Sequence, residues 1–388
     1  MKIFDDLKKV FEEKFGSADT KEYFSPGRVN LIGEHTDYNG GHVFPCAISL
    51  GNYALVANRA DNKTRVYSMN MQDKGVIEFP MNGLKYDEKY DWANYLAGVV
   101  SVFEDAGHKS SHGFDIVLYG TLPPGAGLSS SASLEVLMGA ILNDEFKFGL
   151  DMVEIVKFSQ KAENQFVGVN CGIMDQFAVG MGKKDCAILL DCNTLEYRYS
   201  EIKLDGCSIV ITNTNKKHSL TTSAYNERRS QCDHALSQIQ KVKNVKSLGE
   251  LTNEEFEEVK DKITDPVERM RAKHAVSENQ RTLEAVKALE NNDIEKFGEL
   301  MHDSHVSLRD DYDVTGKELD TLAELAWTVK GCIGSRMTGA GFGGSTVSIV
   351  KDDAIDEFKK ILETEYTKKI GYAPSFFVAN ISEGTHKI

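Results

Sequence analysis

Four β-rich runs crowd residues 42–79: "HVFPCAI", "NYALVANRA", "TRVYSM" and "GVIEF". The gaps between them are shorter than the roughly 12 residues a crossover connection needs, so this part of the sheet must be largely antiparallel. The pattern then changes. In "DWANYLAGVVSVFEDAG" the residues Trp92, Tyr95, Leu96, Val99, Val100 and Phe103 recur at helical spacing. "FDIVLYG" reads as a strand, and "SASLEVLMGAILNDEF" and "VEIVKFSQKAENQF" as helices. The strands "CAILLDC" and "CSIVITNT" bracket a polar stretch, 193–205, expected to be the domain junction. Helical patterns dominate from about 225 to 330, and the strands "STVSIV" and "SFFVANIS" flank a last helix, "AIDEFKKILETEYTKK". Because 388 residues exceed what one compact core usually fills, the expectation is two lobes, 1–205 and 206–388, of α+β class with mixed sheets and helices.

The opening "MKIFDDLKKVFEEKFG" places Phe4, Leu7, Phe11 and Phe15 on one stripe among charges, which makes an amphipathic helix and not a signal peptide. No apolar run approaches a membrane span, so a cytoplasmic protein is expected. A net charge of −14 argues against nucleic acid and anionic membranes as main partners. An anionic small molecule held by local cations and backbone amides remains compatible with it. The seven cysteines are scattered with no CxxC pair, which implies buried reduced thiols and no zinc site. His302 and His305 have no spaced acid or cysteine to complete a metal site and read as structural.

Two stretches carry chemistry. In "LPPGAGLSSSASLEV", residues 122–136, prolines stiffen the entry, Gly125 and Gly127 let backbone approach closely, and three serines precede a strong helix. Unpaired amides at a helix start, hydroxyls beside them and the positive dipole end together favour a phosphate. No GxxxxGK[ST] loop and no HRD or DFG motif is present. "GAGFGG" at 339–344 fits GxGxxG on paper, but a strand follows it where a dinucleotide site needs a helix. The second stretch, "GRVNLIGEHTDYNGG" at 27–41, gathers Arg28, Glu34, His35 and Asp37 between glycines, a set for which a surface loop has no folding need.

With "GSRMTGAGFGGSTVSIV", these segments line up in an order that resembles the GHMP small-molecule kinases, and "GEHTDYNGG" is similar to the galactokinase signature in particular. The likeness continues through "CGIMDQ", "HSLTTSAYNERRSQC" and "SHVSLRDDYDV". It implies a two-lobed GHMP kinase fold with the active site in the cleft between lobes. It also implies ATP-dependent phosphorylation of α-D-galactose at the anomeric hydroxyl. Glu34, His35 and Asp37 would hold sugar hydroxyls, with Gly172 through its backbone and with Tyr225. Carboxylate and imidazole are strong directional partners for a neutral sugar. Asp175 matches the catalytic aspartate and Arg28 the arginine beside it, whose charge favours the ionised carboxylate. Magnesium would take Ser131 and Glu163 as protein ligands, completed by phosphates and water.

The resemblance places ATP along Pro124, Gly125, Ala126, Gly127, Leu128, Ser129, Ser130, Ser131 and Ala132, with Trp92 and Tyr95 around adenine. By periodicity alone those two aromatics belong to a core stripe. Lys217 matches a basic residue near the phosphates, although Lys216 beside it is an equal candidate. Three other readings stay open to test: a kinase for N-acetylgalactosamine or another galactose derivative, a catalytically silent sugar and ATP sensor, and a mevalonate or homoserine kinase. The intact "GLSSSAS" and Asp175 disfavour the sensor; "GEHTDYNGG" disfavours the last. A monomer or homodimer is expected.

Overall fold

The computed structural model describes residues 2–216 and 221–388, apart from the side chains of Thr221 and Thr222. Its strands are β1 (Lys21–Asn30), β2 (His42–Val43), β3 (Pro45–Asn58), β4 (Lys63–Ser68), β5 (Ile77–Pro80), β6 (Phe114–Gly120), β7 (Cys186–Asp191), β8 (Tyr197–Glu201), β9 (Cys207–Asn213), β10 (Cys332–Thr338), β11 (Ser345–Lys351), β12 (Ser375–Ala379) and β13 (His386–Lys387). The helices are α1 (Lys2–Phe15), α2 (Asn94–Asp105), α3 (Ser130–Phe146), α4 (Met152–Ala162), α5 (Met174–Met181), α6 (Thr221–Ile239), α7 (Asn253–Val259), α8 (Pro266–Glu290), α9 (Ile294–Ser307), α10 (Gly316–Thr328) and α11 (Ile355–Ile370).

The largest sheet runs β13-β1-β3-β6-β4-β5, antiparallel except where β4 pairs with β6. That parallel pair is reached through β5 and α2, the first connection long enough to return the chain in the same direction. On one face, α2, α3 and α4 bury Leu96, Phe103, Val136 and Ile155 against Val56, Phe114 and Ile116. On the other, α1 lays Phe4, Leu7 and Phe11 over Leu55, Tyr67 and Val117, each such side chain contributing roughly 1.5–3 kcal/mol. The first β-rich runs fuse into one 14-residue strand, β3, because β1 continues to pair along it across a bulge at Pro26/Gly27.

The second sheet, β10-β11-β9-β12, is antiparallel throughout. Its alternation sends Ile209, Ile211, Val347 and Ile349 toward Phe297 and Met301 of α9. Val210 and Val350 turn to Leu322 of α10 and Phe358 of α11. A small third sheet, β2-β7-β8, takes up residues 197–201 of the polar stretch. The core around Val29 and Phe44 is continuous with Ile209 and Val347, so apolar packing spans residue 205. Strand β13, near the C-terminus, pairs with β1 in the first sheet. All seven cysteines are unpaired. Among the described residues, no helix is long and apolar enough to cross a membrane.

Candidate active site

The loop joining β1 to β2 is held from behind by α8. Glu278 Oε1 accepts from the amides of Gly33 (3.0 Å) and Glu34 (3.4 Å), His274 Nε2 lies 3.1 Å from the Glu34 carbonyl, and Asn279 Oδ1 accepts from the His42 amide at 2.7 Å. A loop this buried must satisfy its backbone somewhere, and one helix face supplies most of the partners. Glu34 is buried; its Oε1 accepts from the Gly339 amide (2.8 Å) and faces Arg336 Nη1 (3.4 Å). Burial pushes its carboxyl upward against the pull of Arg336 and Arg28. His35 sits in the left-handed region at φ 61°. Its Nδ1 lies 2.7 Å from the Tyr38 hydroxyl and its Nε2 3.2 Å from the Ala340 carbonyl. Burial pushes the imidazole down to about 3, so it is neutral at physiological pH. Asp37 is pushed up to about 7, first by burial and then by the charge on Asp175. Its carboxylate lies so close to Gly172 that a Cβ there would collide with Oδ2.

Asp175 lies in the first turn of α5. The Arg28 Nε and Nη2 both reach its Oδ1 at 2.8 Å, and Arg28 Nη1 donates to the Gly127 carbonyl at 2.7 Å. One buried guanidinium thereby ties β1 to the acid and to the serine loop. The bulge at Pro26/Gly27 is what re-aims β1 just before Arg28. Glu163 begins a π-helical turn, Glu163–Val167, at the end of α4, a geometry that recurs at functional sites. It hydrogen-bonds with Gln176, Cys171, Ser131 and the buried Glu135 carboxyl, none of them a cation. Burial first, and then the Asp175 charge, push it up to about 7. The half-buried Ser131 hydroxyl beside the buried Glu163 carboxylate, next to a phosphate-type loop and with no cation paired to the acid, is a donor set that fits magnesium.

Three cavities run in a row. The first, about 170 Å³, is walled by Glu34, His35, Asp37, Gly172, Asp175 and Tyr225. The second, about 210 Å³, is lined by Gly125 to Ser131. The third, about 270 Å³, lies between Trp92, Tyr95, Pro124 and Leu134. Arg28, Asp175 and Ala340 face both the first and the second; Pro123, Ser130 and Ser131 face both the second and the third. Helix α3 opens on Ser129 at φ 62° with no side-chain cap, which leaves its dipole end to the second cavity. The "GAGFGG" segment is the turn of the β10–β11 hairpin. Gly339, at φ 85°, passes so near the serine loop that a Cβ would lie 2.8 Å from the Gly127 carbonyl.

A family model described as the galactokinase galactose-binding signature matches residues 9–58; models of the GHMP kinase N-terminal and C-terminal domains match 94–183 and 285–368. A galactokinase of Clostridium acetobutylicum is 62% identical over 99% of this chain and 100% of its own length. One from Clostridium beijerinckii is 61% identical over 100% of both. The chain belongs to the galactokinase family. The crystal structure of Lactococcus lactis galactokinase complexed with galactose superimposes with a TM-score of 0.98 at 46% identity, covering 100% of both chains. A mevalonate kinase of Methanococcus jannaschii shares the fold at a TM-score of 0.66 and 18% identity over 95% of this chain. The galactokinase and mevalonate kinase structures thus agree with the α+β GHMP kinase fold expected from the sequence.

Within this galactokinase-family site, Arg28, Glu34, His35, Asp37, Glu163, Gly172, Asp175 and Tyr225 converge on the first cavity. Trp92 serves the core and the third cavity at once, being buried in the α2–α3 cluster. Ala132 points into that core beneath the serine loop. Lys217 lies outside the described residues, whereas the Lys216 Nζ is 3.0 Å from Glu318 Oε2. His302 stacks on Trp327 with ring centroids 3.8 Å apart, and His305 Nε2 faces Asp320 at 3.1 Å. Sequence reasoning passed over Glu278, Arg336, Glu135 and Gln176. Glu135 did carry a signal, as the single charge in the apolar stretch 130–142.

Proposed function

We infer that this chain transfers the γ-phosphoryl group of ATP to the anomeric hydroxyl of α-D-galactose, giving α-D-galactose 1-phosphate and ADP. The observation that carries this is the common wall: Asp175, gripped by Arg28, faces both the sugar-sized cavity and the serine-lined one. A hydroxyl bound in the first cavity beside Asp175 would face a phosphate seated in the second.

Asp175 accepts the proton of the anomeric hydroxyl as that oxygen attacks the γ-phosphorus, and it fixes the oxygen's line of approach. Positioned proton transfer is worth about 10²–10⁴-fold, so alignment and charge neutralisation supply most of the acceleration. Arg28 orients the Asp175 carboxylate through Nε and Nη2. Glu34, Asp37, the Gly172 backbone and Tyr225 hold the other hydroxyls. A hydroxyl reaching His35 shares or displaces the Tyr38 or Ala340 contact, so the imidazole also fixes the shape of the site. Pro124 to Ala132 cradle the phosphates, and Trp92 and Tyr95 lie around the adenine. Ser131 and Glu163 would hold magnesium, which would supply charge neutralisation for the phosphates. The cleft lies between an N-terminal unit, 1–205, and a C-terminal unit, 206–388, the latter supplying Tyr225 and Ala340. All of these groups come from one chain, so a monomer suffices and a homodimer is compatible.

A coupled ADP-release assay over galactose, glucose, N-acetylgalactosamine, galacturonate and mevalonate tests the reading. Turnover with galactose far above glucose is expected, because a misplaced hydroxyl leaves buried acids unpaired. Turnover with mevalonate alone, or with none of the five, would contradict it.

A further inference from the structure

Beneath Glu163 lies a buried polar cluster that the reaction scheme above does not use. Gln176, the residue after Asp175, is fully buried, and its Nε2 donates to Glu163 Oε2 at 2.6 Å and to Glu135 Oε2 at 2.9 Å. Glu135 is also fully buried. Neither side chain lines any of the three cavities. The amide has two N–H bonds in a fixed plane, and both carboxylates lie on that side of it. Glu135 stands one helical turn after Ser131, on the same face of α3. The cluster therefore closes a ring: Ser131 bonds to Glu163, Glu163 to Gln176 and directly to Glu135, Gln176 to Glu135, and α3 leads back to Ser131.

The cost of this arrangement argues against simple packing. The Oε1 atoms of Glu135 and Gln176 are buried with no hydrogen-bond partner. Apolar side chains of the same size would fill the space without that penalty. What an apolar core could not do is fix the plane of the Glu163 carboxylate, or couple it to the helix turn that presents Asp175.

We propose that Gln176 and Glu135 are positioning residues that hold the Glu163 carboxylate in the orientation a magnesium–ATP complex requires. They lock it to the first turn of α5, so that metal ligand and proton acceptor move as one body. The proposal rests on the reading of Glu163 as a magnesium ligand. Removing such an outer partner weakens metal binding without touching the sugar site.

The test is Mn²⁺ binding to the full chain in the presence of a non-hydrolysable ATP analogue, followed by electron paramagnetic resonance, with galactose affinity measured by calorimetry. Gln176→Leu should weaken Mn²⁺ binding about 10–100-fold while galactose affinity stays within about twofold. Glu135→Leu should weaken it as well, whereas Glu135→Gln, whose amide oxygen still accepts from Gln176, should bind Mn²⁺ as the parent does. That ranking decides the matter if Gln176→Leu does not fold. Equal Mn²⁺ affinity in the parent and both leucine variants, alongside a weakened Glu163→Ala, would overturn the proposal. So would parallel losses of Mn²⁺ and galactose binding. Should Glu163→Ala itself bind Mn²⁺ normally, it is the underlying assignment of the metal ligand that fails.

Discussion

Asp37 shows how much a single side chain in this site is asked to tolerate. It is held against Gly172 and beside Asp175, and burial plus that neighbouring charge raise it to about 7 from an ordinary 3.8. A raised carboxyl contributes stability below its unfolded value and loses it as pH rises through the folded one, so at pH 8 the ionised Asp37 works against folding. Asp37→Asn should therefore raise the melting temperature of the ligand-free protein at pH 8. It should also raise the KM for galactose by roughly 10–100-fold, since a charged hydrogen-bond acceptor is lost. Thermal melts and steady-state kinetics on the same preparation check both. A lowered melting temperature at pH 8 would show that the ionised form is better compensated than its surroundings indicate. Arg28 makes the opposite bargain: its buried guanidinium is matched by Asp175 and the Gly127 carbonyl, and it reaches the site because β1 bulges just before it.

At the scale of elements, the site is one loop backed by one helix. In α8, Arg271, His274, Glu278 and Thr282 are buried at intervals of three and four, so a polar stripe faces the β1–β2 loop from behind. Glu278 is its centre, held down to about 2 by Arg281, His274 and Arg336 despite full burial. Glu278→Gln leaves Arg336 and Arg281 short of a counter-charge and should cost roughly 3–5 kcal/mol, read from urea unfolding, with a higher KM for galactose. A loss below about 1 kcal/mol would put the pair in the class of exposed ion pairs and contradict this account. The same stripe explains what the sequence could not reveal. A buried glutamate on a helix looks like a solvated charge until the face opposite it is known. Strands β1 and β10 escaped for a similar reason. Their pleats carry Arg28 and Arg336 toward the site, and "SPGRVN" and "GSRMT" lack the apolar alternation that marked β6, β9 and β11. Short β-rich runs, the serine loop and the helices with a regular apolar stripe were legible because each depends on neighbours in sequence. The convergence of Arg28, Glu163 and Asp175 depends on chain 135 residues apart or more for Glu163 and 147 for Asp175, and only the family likeness bridged that distance.

Across the whole molecule, charge burial is concentrated around one cleft, and this sets how stability responds to pH. His35 is lowered from 6.5 to about 3 and His274 from 6.5 to about 4, so each loses stability as pH falls below 6.5. Asp37 and Glu163, raised to about 7 from 3.8 and 4.5, lose stability as pH rises toward 7. Between pH 4.5 and 6.5 the two pairs oppose one another. Below 4.5 the histidines and Glu278, lowered from 4.5 to about 2, all act in the same direction. Burial raises the Glu34 and Glu135 carboxyls as well, so the raised acids outnumber the lowered histidines. Denaturant unfolding should thus give stability that climbs as pH falls from 6.5 to 4.5 and drops beneath it; stability that keeps rising down to pH 3 would refute the assigned burial. The three cavities share walls, and Asp175 stands where the first two meet. A crystal structure of this chain with galactose and a non-hydrolysable ATP analogue measures that directly. The anomeric oxygen should lie within hydrogen-bond reach of the Asp175 carboxylate and face the terminal phosphate over Gly125–Ser131. A sugar bound with its anomeric carbon turned away from Asp175, or phosphates seated elsewhere, would contradict it.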